Sequence, residues 1–321
     1  MQRDSTIEKL PANADELHAC LADAERRLSA VILGKREEIA LALACLLARG
    51  HLLIEDLPGL GKTMLAQALA RVLGLSYQRI QFTSDLLPAD IVGVSIFRQR
   101  EGEFEFQRGP IFAQLVLADE VNRATPKAQS ALLEAMEEQQ VSVDGRTLPL
   151  PQPFFVVATQ NPSTQIGTFP LPESQLDRFL MRIELGYPSE EHEREIITGR
   201  DRRAMLPEIE PAMSPDLLLR AQQAASSMHM SEPLVDYVQA LVRFTRESPD
   251  IETGLSPRAA LALVAAARAH ALIHQRSGVF PDDVQDVFVA VAGHRLKPAS
   301  GSHFVHPGEL GRHVLDSVAI P

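Results

Sequence analysis

The stretch HLLIEDLPGLGKTMLAQALARVLG, residues 51–74, decides how the rest of the chain is read. Residues 51–55 are a short apolar run of strand length, after which Leu65, Leu69, Val72 and Leu73 recur at helical spacing until Gly74 offers a C-terminal cap. Between strand and helix lies DLPGLGKT. After Pro58, Gly59 and Gly61 let the loop backbone, with that of Leu60, turn its N–H groups inward, while the helix that opens with Lys62, Thr63 and Met64 adds the positive end of its dipole. Lys62 supplies a mobile ammonium. Residues 58–64 thus form a cradle for the β- and γ-phosphates of a nucleoside triphosphate, and the Thr63 hydroxyl falls where a Mg²⁺ ion would need an oxygen ligand.

The usual pattern opens on a glycine where this chain has Asp56. An aspartate is tolerated there if its φ angle is compatible or if its side chain ties the loop together. A glycine-rich turn before an ordinary helix is the plainer reading. The strand before, the helix after and the intact GKT favour phosphate binding over it.

The chain has 321 residues, which at about 150 residues per domain suggests two domains, and its 45% hydrophobic content is ample for real cores. The longest apolar run, residues 39–47, is too short to span a bilayer, and the N-terminus lacks the layout of a signal peptide. No membrane insertion is expected, and a cytoplasmic location is. Cys20 and Cys45 stand far apart without CxxC spacing, so neither a disulfide framework nor a zinc site is indicated. A formal charge of −11 argues against nucleic acid as a partner along a broad phosphate footprint, though not against a local basic pore.

Residues 1 to about 30 read as an amphipathic packing helix with Leu17, Leu21, Ala24 and Leu28 on one stripe. Residues 31–34 read as a short extended piece before a helix ending at Gly50. Val31 and Ile32 are candidate walls for an adenine, or equally part of a core strand. A second strand is expected over 77–82, and a hairpin over 94–106 projects from the connection 85–109, where contact with a partner is more usual than a core role.

LVLADE, residues 115–120, is the second chemical landmark. Asp119 would emerge beside the phosphate loop, able to hold Mg²⁺ through water, and Glu120 could orient and deprotonate the attacking water. The plainer alternative is a strand ending in solvated acids. Thr125 and Pro126 start a helix buried through Ala128, Leu132, Leu133 and Met136, and VSVDGRTL at 141–148 is a hairpin turning at Asp144 and Gly145. A buried strand over 154–158 runs into TQNP, so Asn161 emerges at the same sheet edge as Asp119 and could contact the γ-phosphate or the water. Arg178 lies between a short helix and a fifth strand over 180–185, facing away from its own site, which suits a finger on a neighbouring subunit's phosphate.

From Tyr187 onward prolines punctuate a change to helices, expected near 189–203, 215–229, 232–247, 257–276 and 281–293. Ser256 caps the fourth with Pro257 behind it, and Arg258 at that helix start needs an anionic partner, of which a phosphate is one. His270 and His274 lack the glutamate of a zinc-binding HExxH and read as ordinary side chains.

Taken in order, EDLPGLGKT, LVLADEVNRA, ATQNP, LDRF and SPRA resemble a MoxR-type AAA+ ATPase of the helix-2-insert group, from about Val31 to the C-terminus. The runs GPIFAQLVLADE, SALLEAMEE and IGTFPLPESQLDRF are especially close to that family's pattern, which also accommodates Asp56. The resemblance assigns Lys62 and Thr63 to Walker A, Asp119 and Glu120 to Walker B and Asn161 to sensor 1. It makes Arg178 the arginine finger and Arg258 sensor 2. Arg123 either reads a neighbour's nucleotide or is merely solvated.

The fold so implied is α/β, an AAA+ P-loop NTPase core with a parallel five-stranded sheet in the order 5-1-4-3-2 and a C-terminal α-helical lid. The domains would be an N-terminal helix over 1–30, the nucleotide-binding domain over 31–187 and the lid over 188–321. The activity implied is Mg·ATP hydrolysis at the subunit interfaces of a homo-hexamer. It would serve chaperone-like remodelling or maturation of a protein client, often beside a von Willebrand factor A domain protein. Two enzymes of similar build compete, a chelatase-type motor subunit and a DNA-acting motor, as does a scaffold that binds nucleotide without hydrolysing it.

Overall fold

The structure, a computed structural model, describes residues 14–100, 102–161, 169, 171–302, 304 and 307–320. In chain order its first part comprises α1 (Ala14–Val31), α2 (Arg36–Leu47), β1 (Leu52–Glu55), α3 (Lys62–Val72), β2 (Tyr77–Gln81), α4 (Pro88–Val92), β3 (Gly93–Arg98) and β4 (Glu103–Arg108). There follow β5 (Leu115–Asp119), α5 (Pro126–Glu138), β6 (Gln140–Val143), β7 (Arg146–Pro149), β8 (Phe155–Gln160), α6 (Glu173–Leu176) and β9 (Met181–Ile183). Five of the strands form one parallel sheet in the order β2-β5-β8-β1-β9. Numbering only those five along the chain gives 5-1-4-3-2 from the β9 edge, the order the sequence resemblance implied.

Parallel strands must be covered on both faces, so their residues are apolar in both directions. Leu52 and Ile54 of β1, Leu117 of β5 and Val157 of β8 face α1, α2 and α3 in one core. Leu53, Val116, Ala118, Val156 and Ala158 face the other way, onto α5, in a second core. The expected stripe of α1 is buried at Leu17, Leu21, Ala24 and Leu28. The first 13 residues of that expected helix, and Pro162 of the TQNP run, lie outside the described residues. The extended piece expected over 31–34 is instead a helix end and a turn. The Ile32 amide donates to the Leu28 carbonyl at 2.8 Å, and Gly34 turns the chain at φ +67°. Val31 and Ile32 are buried in the first core, where packing overrides the extended preference of β-branched residues.

Two hairpins flank the sheet as expected, β3 on β4 and β6 on β7, the second turning at Asp144 and Gly145 with φ +50° and +75°. They touch: the Ser95 hydroxyl donates to the Asp144 carboxylate at 2.5 Å. Beyond β9 the chain is mostly helical: α7 (Glu190–Thr198), α8 (Arg202–Met205), α9 (Pro215–Ser226), α10 (Glu232–Glu247), β10 (Ile251–Thr253), α11 (Pro257–Ile273), α12 (Pro281–Ala292), β11 (Lys297–Pro298) and α13 (Pro307–Ser317). The single helix expected over 189–203 breaks at Gly199, and the Asp201 carboxylate caps a new start by accepting from the Arg203 amide. The small β10–β11 ladder and α13 were not foreseen. Alanine-rich α11 packs against α2, α9 and α12, and Gln222 of α9 donates to the Leu46 carbonyl at 2.9 Å, so this region rests on α2. Among the described residues no helix is long and apolar enough to cross a membrane.

His51 anchors the amino-terminal edge of the sheet. Its Nδ1 accepts from the Val156 amide at 3.0 Å and its Nε2 donates to the Met136 carbonyl at 3.2 Å, joining β1, β8 and α5 through a neutral ring. Burial pushes its pKa down to about 4, only partly opposed by the Met136 carbonyl. Unfolding returns the ring to about 6.5, so the unfolded chain takes up the proton first and stability is lost as pH falls from 6.5 towards 4. The urea midpoint should therefore drop between pH 7 and pH 5. His51→Gln should lower it at pH 7 and make it less steep in pH, a slope measurable by fluorescence-monitored unfolding.

Candidate functional site

The carboxyl ends of β1, β5 and β8 lie side by side, so whatever follows each strand meets at one edge. After β1 the chain turns through Gly59 and Gly61 at φ +89° and +92°, a conformation that suits glycine. Nothing lies within 4 Å of where a Cβ would stand at either position, so the loop is open for a ligand to approach its backbone. α3 starts directly behind it, with no acidic residue in its first turn and no side chain capping its N–H groups. The positive end of this 11-residue helix is thus left uncompensated. Met64 packs into the core, while Thr63 is half-buried at the helix start.

Lys62 is buried, and its ammonium donates to the Asp56 carbonyl, to the Leu57 carbonyl at 3.1 Å and to the Asn161 side-chain oxygen at 3.3 Å. Burial lowers its pKa from the ordinary lysine value, and the carboxylates of Asp56, Asp119, Glu120 and Glu55 oppose that shift. The charge is held by carbonyl oxygens that a phosphate could replace.

Asp119 ends β5 and Glu120 follows it directly. The Asp119 carboxylate accepts from the Thr159 hydroxyl at 2.6 Å and from two Arg79 nitrogens at 3.0 and 2.6 Å. Glu120 takes a left-handed backbone at φ +56°. Its amide donates to the same Thr159 oxygen at 2.8 Å, and its carboxylate accepts from Gln81 at 3.0 Å and Asn161 at 3.2 Å. Arg123 pairs with Glu120 at 3.3 Å, so in this chain it contacts the local carboxylate. The set of hard oxygens at Thr63 and Asp119 fits a divalent cation such as Mg²⁺, for which the Arg79 guanidinium is the present counter-charge.

Sequence reading missed Arg79, Gln81 and Thr159. Thr159 is buried near the end of an apolar strand, two residues before Asn161, a faint signal that a polar group was needed there. Arg79 and Gln81 lie two apart on β2 and so share a face, but only the observed register, Arg79 opposite Leu117 and Gln81 opposite Asp119, brings them to the carboxylates.

Arg178 and Arg258 are elsewhere. Arg178 precedes β9, at the amino-terminal edge, where it donates to the Leu133 carbonyl at 2.7 Å and pairs with Glu137 at 2.9 Å. Arg258, at the start of α11, pairs with the same Glu137 at 3.4 Å and with Asp177 at 3.8 Å. Five-residue β5 separates the two edges by roughly 16 Å at about 3.3 Å per residue. The anionic partners of Arg258 here are carboxylates, and it stands with Arg178, not with Lys62.

Residues 51–181 match the ATPase family associated with various cellular activities (AAA), and residues 243–310 match the AAA lid domain. The chain is 43% identical to the uncharacterized protein YeaC of Bacillus subtilis, over 97% of this chain and 98% of that one. It is 42% identical to the chaperone MoxR1 of Mycobacterium tuberculosis, over 97% and 86%. The crystal structure of a candidate ATPase from Cytophaga hutchinsonii superposes with a TM-score of 0.85 at 35% identity, covering 96% of this chain and 97% of that one.

The Thr159 hydroxyl satisfies both the Asp119 carboxylate and the Glu120 amide, and a valine of the same shape would satisfy neither. Thr159→Val should cost about 1–3 kcal/mol of unfolding free energy, the usual range for orphaned buried polar groups, readable from denaturant midpoints at constant m-value.

Proposed function

The chain belongs to the MoxR-type family of AAA+ ATPases, and on that premise we propose that it hydrolyses ATP at subunit interfaces of a ring and uses the cycle to remodel a protein partner. The observation that carries the reading is the meeting of Lys62, Asp119, Glu120 and Asn161 at one sheet edge. The amides of residues 59–61, the α3 dipole and Lys62 bind the β- and γ-phosphates, and Met64 fixes the helix start in the core. Thr63 and Asp119 would hold Mg²⁺, which when bound would neutralise charge on the transferring phosphoryl group. Glu120 accepts a proton from water as the water oxygen attacks the γ-phosphorus and the bond to the β–γ bridging oxygen breaks, releasing ADP. Asn161 orients that water or the γ-phosphate. For Glu120 to act, it must exchange its bonds to Gln81 and Arg123 for the water.

Because Arg178 and Arg258 lie at the far edge, their role is at a neighbouring subunit's γ-phosphate. A homo-hexamer is the assembly this geometry fits within the family. The chaperone named among the relatives supports a protein client, and a von Willebrand factor A domain protein is the partner we propose for it. The working compartment in this reading is the cytoplasm.

Glu120→Gln should keep ATP affinity within a few-fold while slowing phosphate release by about 10²-fold or more, as expected for loss of a general base. Lys62→Ala should lose ATP binding. Phosphate release by Glu120→Gln at the parental rate would refute the mechanism.

Arg178→Ala should be nearly inactive alone. Mixed with Glu120→Gln subunits it should recover activity, because each intact Arg178 can then serve an intact Glu120. Full activity of Arg178→Ala alone would place the finger elsewhere.

A further inference from the structure

Asp56 occupies the loop position where the general pattern has glycine, and all of its polar groups are in use. Its amide donates to the Gln160 carbonyl at 3.3 Å, and its own carbonyl accepts from the Lys62 ammonium. One carboxylate oxygen accepts from the Leu57 amide at 2.8 Å. The other accepts from two successive amides across the molecule, Leu185 at 2.8 Å and Gly186 at 2.6 Å. Those amides begin the linker from β9 to α7, the entry to the helical region. Gly186 turns that linker at φ +63°, and the next carbonyl, Tyr187, accepts from Lys35 at 3.1 Å.

One residue thus touches the phosphate-binding ammonium with its backbone and the linker with its side chain. Bonds from backbone amides to a carboxylate are charge-assisted, and neither end carries side-chain slack. A glycine here would leave the linker amides without this partner. An asparagine has a single acceptor oxygen, and its NH₂ group would face N–H donors.

We propose that Asp56 is a positioning residue that couples the phosphate cradle to the linker leading into the helical region. The proposal rests on the function above, since ATP is what draws Lys62 away from the Asp56 carbonyl. When the ammonium turns to phosphate, the peptide joining Asp56 and Leu57 loses its cation. Any reorientation of that peptide moves the carboxylate, and Leu185 and Gly186 move with it. The carboxylate passes the occupancy of the cradle to the start of the helical region without touching the nucleotide.

Hydrogen exchange over residues 185–186, followed by mass spectrometry with and without Mg·ATP, tests the coupling. In the parent chain Mg·ATP should change exchange at these amides by at least about threefold. Asp56→Gly should exchange them at least about tenfold faster without nucleotide and show no further response to Mg·ATP. It should bind ATP within about threefold of the parent yet turn over about tenfold more slowly, a loss in kcat with KM nearly unchanged. A merely structural role would lower the melting temperature without removing the nucleotide response.

Asp56→Asn, which keeps the side-chain shape, should lie between the two and serves if the glycine variant fails to fold. Parental exchange in Asp56→Gly without nucleotide, or a parental response to Mg·ATP in either variant, overturns the proposal. Failure of the parent to bind ATP overturns the functional reading itself, and a direct binding titration reports that independently of the exchange at residues 185–186.

Discussion

Parallel pairing in one register places the chemistry. Ile54 of β1 pairs with Thr159 of β8, and Ala118 of β5 pairs with Ala158 of β8, so the three strands finish together. Because the strands run the same way, Asp56, Asp119, Glu120 and Asn161 all leave the sheet at one edge, although they come from three distant parts of the chain. A slip of one residue in β8 would turn Thr159 to the opposite face and leave the Glu120 amide without its acceptor. The apolar cores on both faces penalise such a slip, and in this sense they hold the polar edge in place.

At that edge the reactive groups already have partners. Lys62 rests on carbonyl oxygens, Asp119 on Arg79 and Thr159, and Glu120 on Gln81, Asn161 and Arg123. Isolated buried charges would be costly, and these contacts are what make the cluster tolerable in a folded chain. In the proposed function, binding a nucleotide is therefore an exchange of partners. Its net strength would be the difference between phosphate and carbonyl at Lys62, and between a divalent cation and a guanidinium at Asp119.

Much of this was legible in the sequence because local rules agree with the fold at those positions. Residues 51–74 carry a strand, two glycines that need positive φ and a helix start, and the structure has each of them there. The Asp144–Gly145 turn and the Ser256 cap were equally readable, and Ser256 does accept from the Ala259 amide. The misses have a common cause. Val31 and Ile32 have extended preferences but are buried in the first core at the end of α1, and Gly199 ends α7 before the Asp201 cap starts a new helix. Arg79, Gln81 and Thr159 reach the carboxylates only through strand register, and the pairing of Arg258 with Glu137 follows only from the edge of the sheet at which α11 begins. Neither is written in any short run of residues.

The separation of Lys62 from Arg178 and Arg258 gives the chain a head and a tail. Surfaces that complement each other without being the same surface join subunits head to tail, and such contacts have no built-in stopping point. The rotation from one subunit to the next then decides between a closed circle and an open helix. In the proposed ring that rotation would depend on the cluster where Glu137, at the end of α5, pairs with both Arg178 and Arg258, and Asp177 pairs with Arg258. A small tilt of α11 at this cluster would alter the pitch of such an assembly while leaving the sheet edge that carries Lys62, Asp119 and Glu120 untouched.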